Sequence, residues 1–200
     1  MVLNKYRKNV DSLLTALARP FMHTNPNTLT LFAFLFASLG GLCYYLTWYH
    51  AFFLLFSFIF IFLSSFMDAL DGKLARLKGV AGKRGDFLDH LLDRYSDTVL
   101  ILGIALSPYS SPLFGLFAIT GVYLTSYVGT QAEVEGVKRI YGGILGRADR
   151  MLILILLPLI QYFWWGYHFS VSSWILLIFA ILGHITAIQR IFYAWRAIPS

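Results

Sequence analysis

Two hundred residues, 58% hydrophobic and 18% aromatic but only 13% charged, leave too little polar side chain to clothe a soluble domain of this length. That balance excludes a water-soluble enzyme, and with so little soluble surface the net charge of +6 points to an anionic membrane leaflet and not to nucleic acid. One polytopic, all-α membrane domain over residues 1–200 is expected: several apolar runs reach the ~20 residues needed to cross about 30 Å of hydrocarbon, and none has the short alternating segments of a barrel.

Residues 1–20 lack the continuous apolar core of a cleaved signal peptide. Leu3, Tyr6, Val10, Leu13, Leu14 and Leu17 recur at helical spacing while Lys5, Lys8 and Ser12 fall elsewhere. An amphipathic interfacial helix is therefore expected, ended by Arg19-Pro20, although the same stripe would suit a helix packed on protein. A bundle of six transmembrane helices follows over 27–195, at about 27–48, 51–76, 86–106, 111–133, 148–166 and 171–195. The connections around 48–51, 107–112 and 166–171 hold no Lys, Arg, Asp or Glu, whereas all 16 Lys and Arg residues lie towards the other side. By the positive-inside rule both termini are expected in the cytoplasm. The ten acidic residues follow the basic ones to that side. No general rule carries carboxylates there, so a polar working site open to the cytoplasm is expected. Cys43, the single cysteine, lies in an apolar run and permits no internal disulfide.

Six aspartates gather between Ser64 and Thr98. At ~100° per residue, Asp68, Asp71, Gly72 and Ala75 share one face of the second span with Arg76 at its edge, and Gly85, Asp89, Asp93 and Asp97 climb one face of the third. Two carboxylate pairs can thus confront each other, and four such anions in a low dielectric need a positive partner. Oxygen ligands favour Mg2+ or Mn2+ over zinc. Four carboxylates suffice for two ions, which stabilise the attacking and leaving oxygens of a phosphoryl displacement. His90 is expected on another face. Alternatively Lys73, Lys78, Lys83, Arg84 and Arg94 pair with the acids as a solvated patch at the membrane edge. Gly79, Gly82 and Gly85 in "GVAGKRG" allow a backbone to approach a ligand, and Lys83 and Arg84 offer charge to phosphate, though a tight loop uses glycine anyway.

Further along, Tyr123, Ser126, Thr130 and Glu133 form a polar stripe expected to face inward on the fourth span. Arg147 and Arg150 stand three residues apart at the start of the fifth, and Arg190 lies near the end of the sixth. Arginines converging on a metal site suit a phosphorylated acceptor, because a guanidinium matches a phosphomonoester bidentately. Helix-end arginines also snorkel to the interface.

Asp68-x-x-Asp71-Gly72-x-x-Ala75-Arg76, then eight residues, then Gly85-x-x-x-Asp89-x-x-x-Asp93 resembles the signature of the CDP-alcohol phosphotransferases, integral membrane enzymes of phospholipid synthesis. The resemblance implies that Asp68, Asp71 and Asp89 hold two Mg2+ or Mn2+ ions. Asp93 would sit at the second ion and act as the catalytic base on an acceptor hydroxyl, so that the hydroxyl displaces cytidine monophosphate from a CDP-activated lipid. It also implies that Gly72 and Arg76 contact the nucleotide and that Ala75 and Gly85 leave it room. "TNPNTLT" resembles the family's opening of the first span and places Pro26, Asn27 and Thr28 beside the nucleotide, although an Asn25 N-cap and Pro26 at the first helical position explain much of that pattern. Gly82 stands where bacterial relatives often carry Ser or Thr, so a backbone N–H would replace the hydroxyl.

"SYVGTQAEVEGV", "GRADR" and "TAIQR" resemble the subgroup that joins inositol phosphate to a CDP-activated lipid, the phosphatidylinositol phosphate and archaetidylinositol phosphate synthases. The resemblance makes Arg147, Arg150 and Arg190 acceptor phosphate ligands, inositol 3-phosphate the acceptor, and the assembly a homodimer. Gly129, Thr130 and Gln131 replace a basic "KAR" of the bacterial pattern, a departure that leans towards the archaeal ether-lipid branch. Phosphatidylglycerophosphate synthase, with glycerol 3-phosphate as acceptor, is the nearest alternative. A divalent-metal transporter is a distant one, because transport sites lie near the midplane between repeated halves and these acids cluster at one edge.

Overall fold

The computed structural model describes residues 11–137, 140, 142–164 and 170–198. Among these the regular elements are helices: α1 (Pro26–Tyr45), α2 (Phe53–Leu77), α3 (Lys83–Ala105), α4 (Pro112–Val134), α5 (Arg147–Phe163) and α6 (Val171–Ala197), with short 3-10 turns at Arg19–Phe21 and Leu46–Trp48. All six expected spans are present as helices, within a few residues of the expected limits. Four of them are long and apolar enough to cross a membrane: α1 with its 3-10 extension to Trp48, α2, α4 and α6. The stretch of α3 from Lys83 to Asp97 carries seven charges, and α5 has only 17 residues.

Residues 11–18 are helical, while Leu3, Lys5, Tyr6, Lys8 and Val10 of the expected interfacial helix lie outside the described residues. Ala18 is buried with Leu29, Leu70 and Leu74, and Leu14 packs against them. Leu13 and Leu17 point outward. Asp11 accepts a bond from Lys73 Nζ at 2.7 Å, so this segment is tied to the end of α2.

Small residues set the helix spacing. A Cβ on Gly103 of α3 would stand 2.7 Å from the Cα of Gly41 on α1, and one on Gly183 of α6 would stand 3.2 Å from the Cα of Gly121 on α4. Such backbone-to-backbone seams are how helices associate where lipid is as apolar as leucine. Around them Tyr44, Leu54, Ile61, Leu100, Ile104, Leu157 and Phe179 close the core. At the end of the bundle remote from the aspartates, Gln161 Oε1 on α5 accepts from the Oγ of Ser170 and from the N–H and Oγ of Ser172 at 2.9–3.1 Å. Tyr44 OH lies 2.5 Å from Ser172 Oγ, so α1 joins this buried network.

The polar stripe on α4 is not buried, although Tyr123 OH lies 3.0 Å from Thr98 Oγ1 on α3. Tyr123, Thr130 and Glu133 are exposed and Ser126 is half-buried, while the buried face carries Gly121, Val122, Thr125, Gly129 and Ala132. The close seam with α6 puts small residues such as Gly121 on the buried face.

Candidate active site

The site is built at the turn between α2 and α3. Helix α2 stops because Gly79 adopts φ 65°, which lets the N–H groups of Gly79 and Val80 turn back to the carbonyls of Arg76 and Ala75. Gly82 is extended and opens α3, whose first turn holds Asp86, an acid at the positive end of the helix dipole. The turn thereby lets acidic side chains near the end of α2 reach towards those on the first turns of α3.

Oxygens of Asp68, Asp71 and Asp89 lie within 4.8 Å of one another, and ligand atoms of Asp89, His90 and Asp93 do likewise. Asp89 belongs to both triplets, so the four expected metal ligands share one cluster. His90 departs from its expected orientation: its Nε2 is 3.2 Å from Asp86 Oδ1 and close enough to join the second triplet. One residue along a helix is only ~100° round, and an imidazole is long enough to reach back over that angle.

Asp71 and Asp93 are each 6% exposed. Asp71 Oδ2 and Asp89 Oδ1 are buried without a hydrogen-bond partner, an arrangement that costs free energy unless a cation sits on them. Buried carboxylate oxygens fit a hard divalent ion, Mg2+ or Mn2+. Two lysines of the alternative reading go elsewhere, since Lys73 reaches Asp11 and Lys78 Nζ donates to the Thr24 carbonyl at 3.0 Å, while Arg94 pairs with Asp97.

The cation within the cluster is Arg147. Its Nη1 and Nη2 donate to the two oxygens of Asp68 at 3.4 and 3.3 Å, and Nη2 also donates to Asp93 Oδ1. Arg150 is buried and donates to Asp97 Oδ2 at 3.1 Å. Arg190 is held by backbone, with Nε donating to Gly142 O at 2.8 Å and Nη1 to Thr125 O at 2.7 Å. Of the three arginines expected at the acceptor, Arg147 therefore lies among the acids, while Arg150 and Arg190 are held on other groups close to the start of α5 and of the loop before it. Asp97 as the partner of Arg150 went unforeseen, though its four-residue spacing from Asp93 was a signal.

Of the residues expected at the nucleotide, Asn27 and Gly85 come together: a Cβ on Gly85 would be 3.6 Å from Asn27 Oδ1. Asn25 caps α1 by accepting the Asn27 N–H at 3.0 Å, Pro26 is buried at the first helical position, and Thr28 is half-buried. Gly72 faces Arg76, whose Nη1 would lie 3.6 Å from a Cβ placed there. Ala75 is half-buried, and Arg76 and Gly82 are exposed. The starts of α1 and α3 thus meet at Asn27 and Gly85.

Known proteins share this frame. The archaetidylinositol phosphate synthase of Pyrococcus horikoshii is 32% identical over 195 residues, 96% of each chain, and that of Methanothermobacter thermautotrophicus is 35% identical over 133 residues, 66% of each. Among solved structures, Mycobacterium tuberculosis phosphatidylinositol phosphate synthase with CDP-DAG bound superposes with a TM-score of 0.79 at 24% identity, covering 94% of this chain and 98% of that one. The same enzyme in complex with manganese and citrate also gives 0.79, at 23% identity and with 94% and 92% covered. The sequence model of CDP-alcohol phosphatidyltransferases matches residues 23–188, a stretch that holds the four clustered acids, the turn between them and Arg147, and by that match this chain is a member of the CDP-alcohol phosphatidyltransferase family of enzymes.

Proposed function

We propose that the protein transfers a phosphatidyl or archaetidyl group from a CDP-activated lipid to a hydroxyl of inositol 3-phosphate and releases cytidine monophosphate. The site would open to the cytoplasm from a six-span bundle with both termini on that side. The observation that carries the acceptor is Arg147 bonded to Asp68 and Asp93. It puts a phosphate-binding side chain on the carboxylate that would take the acceptor's proton. The names of the relatives support the same choice.

Mg2+ or Mn2+ ions held by Asp68, Asp71, Asp89 and Asp93 would neutralise the diphosphate and the charge that develops on its oxygens. The chain's own residues do the rest. Pro26, Asn27 and Thr28 at the start of α1, with Gly72, Ala75, Arg76, Gly82 and Gly85, line the nucleotide. An acceptor phosphate draws the Arg147 guanidinium from the acids, which leaves Asp93 in hydrogen-bond reach of the acceptor hydroxyl. Asp93 then takes that proton as the hydroxyl oxygen bonds to the phosphorus bearing the lipid, and the bond from that phosphorus to the oxygen of cytidine monophosphate breaks. No protein nucleophile is needed, because positioning and charge neutralisation dominate phosphoryl transfer. Arg190 would add a second guanidinium for the acceptor phosphate.

An acceptor panel decides the reading: purified protein in detergent with Mn2+ or Mg2+ and a CDP-activated lipid, offered inositol 3-phosphate, glycerol 3-phosphate, free inositol or serine. Product from inositol 3-phosphate above all others is expected. Preference for glycerol 3-phosphate would reassign the acceptor, and turnover of unphosphorylated alcohols would remove the role given to Arg147.

A further inference from the structure

Asp97 stands one helical turn beyond Asp93 on α3 and is 1% exposed, yet it belongs to neither triplet of the acid cluster. Its Oδ2 accepts from Arg150 Nη2 at 3.1 Å, and Arg94 Nη2 is 3.5 Å from the same oxygen. Arg150 is itself 3% exposed, and both Asp97 Oδ1 and Arg150 Nε are buried without a partner. A buried pair so incompletely bonded contributes little net stability, and apolar packing would serve a purely structural contact as well. What a charged pair supplies is register. Arg150 lies in the first turn of α5, three residues after Arg147 and on the same side of the helix. Where Arg150 is fixed, the rotation of that turn is fixed, and so is the reach of Arg147 to Asp68 and Asp93.

We propose that Asp97 is a positioning residue: through Arg150 it sets the register of the first turn of α5 and so holds Arg147 at the acid cluster. Its effect on the acceptor rests on the function proposed above, whereas its effect on the acids does not. Arg147 and a divalent cation compete for the same oxygens of Asp68 and Asp93, so releasing the arginine strengthens cation binding. Loss of a negative charge at Asp97 would by itself weaken it, and the two causes therefore differ in sign.

Mn2+ titration of the whole chain in detergent, followed by electron paramagnetic resonance, is the test. R147Q is expected to bind Mn2+ about three- to tenfold more tightly than wild type, D97A to do so in the same direction, and the double variant no more tightly than R147Q alone. Should D97A fail to fold, D97N gives the same readout with a smaller tightening. Unchanged or weaker Mn2+ binding in the Asp97 variants, or no tightening in R147Q, overturns the proposal. In turnover, D97A should raise KM for inositol 3-phosphate about tenfold with KM for the CDP-lipid within about twofold, and an equal rise in both would count against it. A wild-type protein that does not use inositol 3-phosphate removes the acceptor reading, and the Mn2+ titration then decides the role of Asp97.

Discussion

The two halves of α3 solve opposite problems. From Leu100 to Ala105 the helix is apolar and, Leu102 apart, buried, and Gly103 presses against Gly41 with no room for a methyl group. From Lys83 to Asp97 the same helix carries seven charges and faces α2 and α5 across carboxylates whose buried oxygens lack partners. The packed part has more packing than it needs polarity, and the charged part has more charge than it can satisfy. A helix locked by backbone contact at one end can hold like charges together at the other, where an unbraced pair of helices would splay apart.

That contrast is breakable from either half. At the charged end, Asp93→Asn should lower turnover by about two to four orders of magnitude, the range of a lost general base, with Mn2+ still bound and the protein still folded; a near-normal rate would remove Asp93 as the base. At the packed end, Gly103→Leu should destabilise by about 1–3 kcal/mol or more, as overpacking does, seen as a lower melting temperature in detergent. A variant as stable as wild type would mean that the seam yields easily. Arg190→Ala tests the region between, and KM for the acceptor is expected to rise about tenfold, roughly 1.4 kcal/mol, with a smaller effect on the CDP-lipid; equal effects would place Arg190 in support of the fold, through its bonds to Gly142 and Thr125. The smallest change is expected for Lys73→Met. Its partner Asp11 is 63% exposed, so solvent-screened pairing is worth about 1 kcal/mol or less, and turnover that collapsed in this variant would tie the 11–18 segment to catalysis.

What was legible in the sequence follows from distance along the chain. Asp68, Asp71, Asp89 and Asp93 lie within a stretch of 26 residues, where helical periodicity and one glycine turn dictate which side chains meet. Spacing therefore read the acid cluster correctly. Asp97 and Arg150 are 53 residues apart, and no local periodicity joins them. Burial on α4 follows a different rule: polarity does not predict it, because a helix pressed against another at Gly121 and Gly183 selects its buried face by size. Likewise the bonds from Arg190 to two backbone carbonyls leave no mark in composition, because any sequence offers carbonyls.

Helix α5 is a beam pinned at both ends. Arg150 fastens it to α3 near its start, and Gln161 fastens it to Ser170, Ser172 and, through them, Tyr44 near its finish. Sliding it by a turn would break both fastenings at once, in surroundings that offer few replacement partners. In the function proposed above, arrival and departure of a polar substrate would then fall to side-chain swings, with Arg147 as the moving part. A helix so held would keep its place, and each turnover would begin from the same geometry.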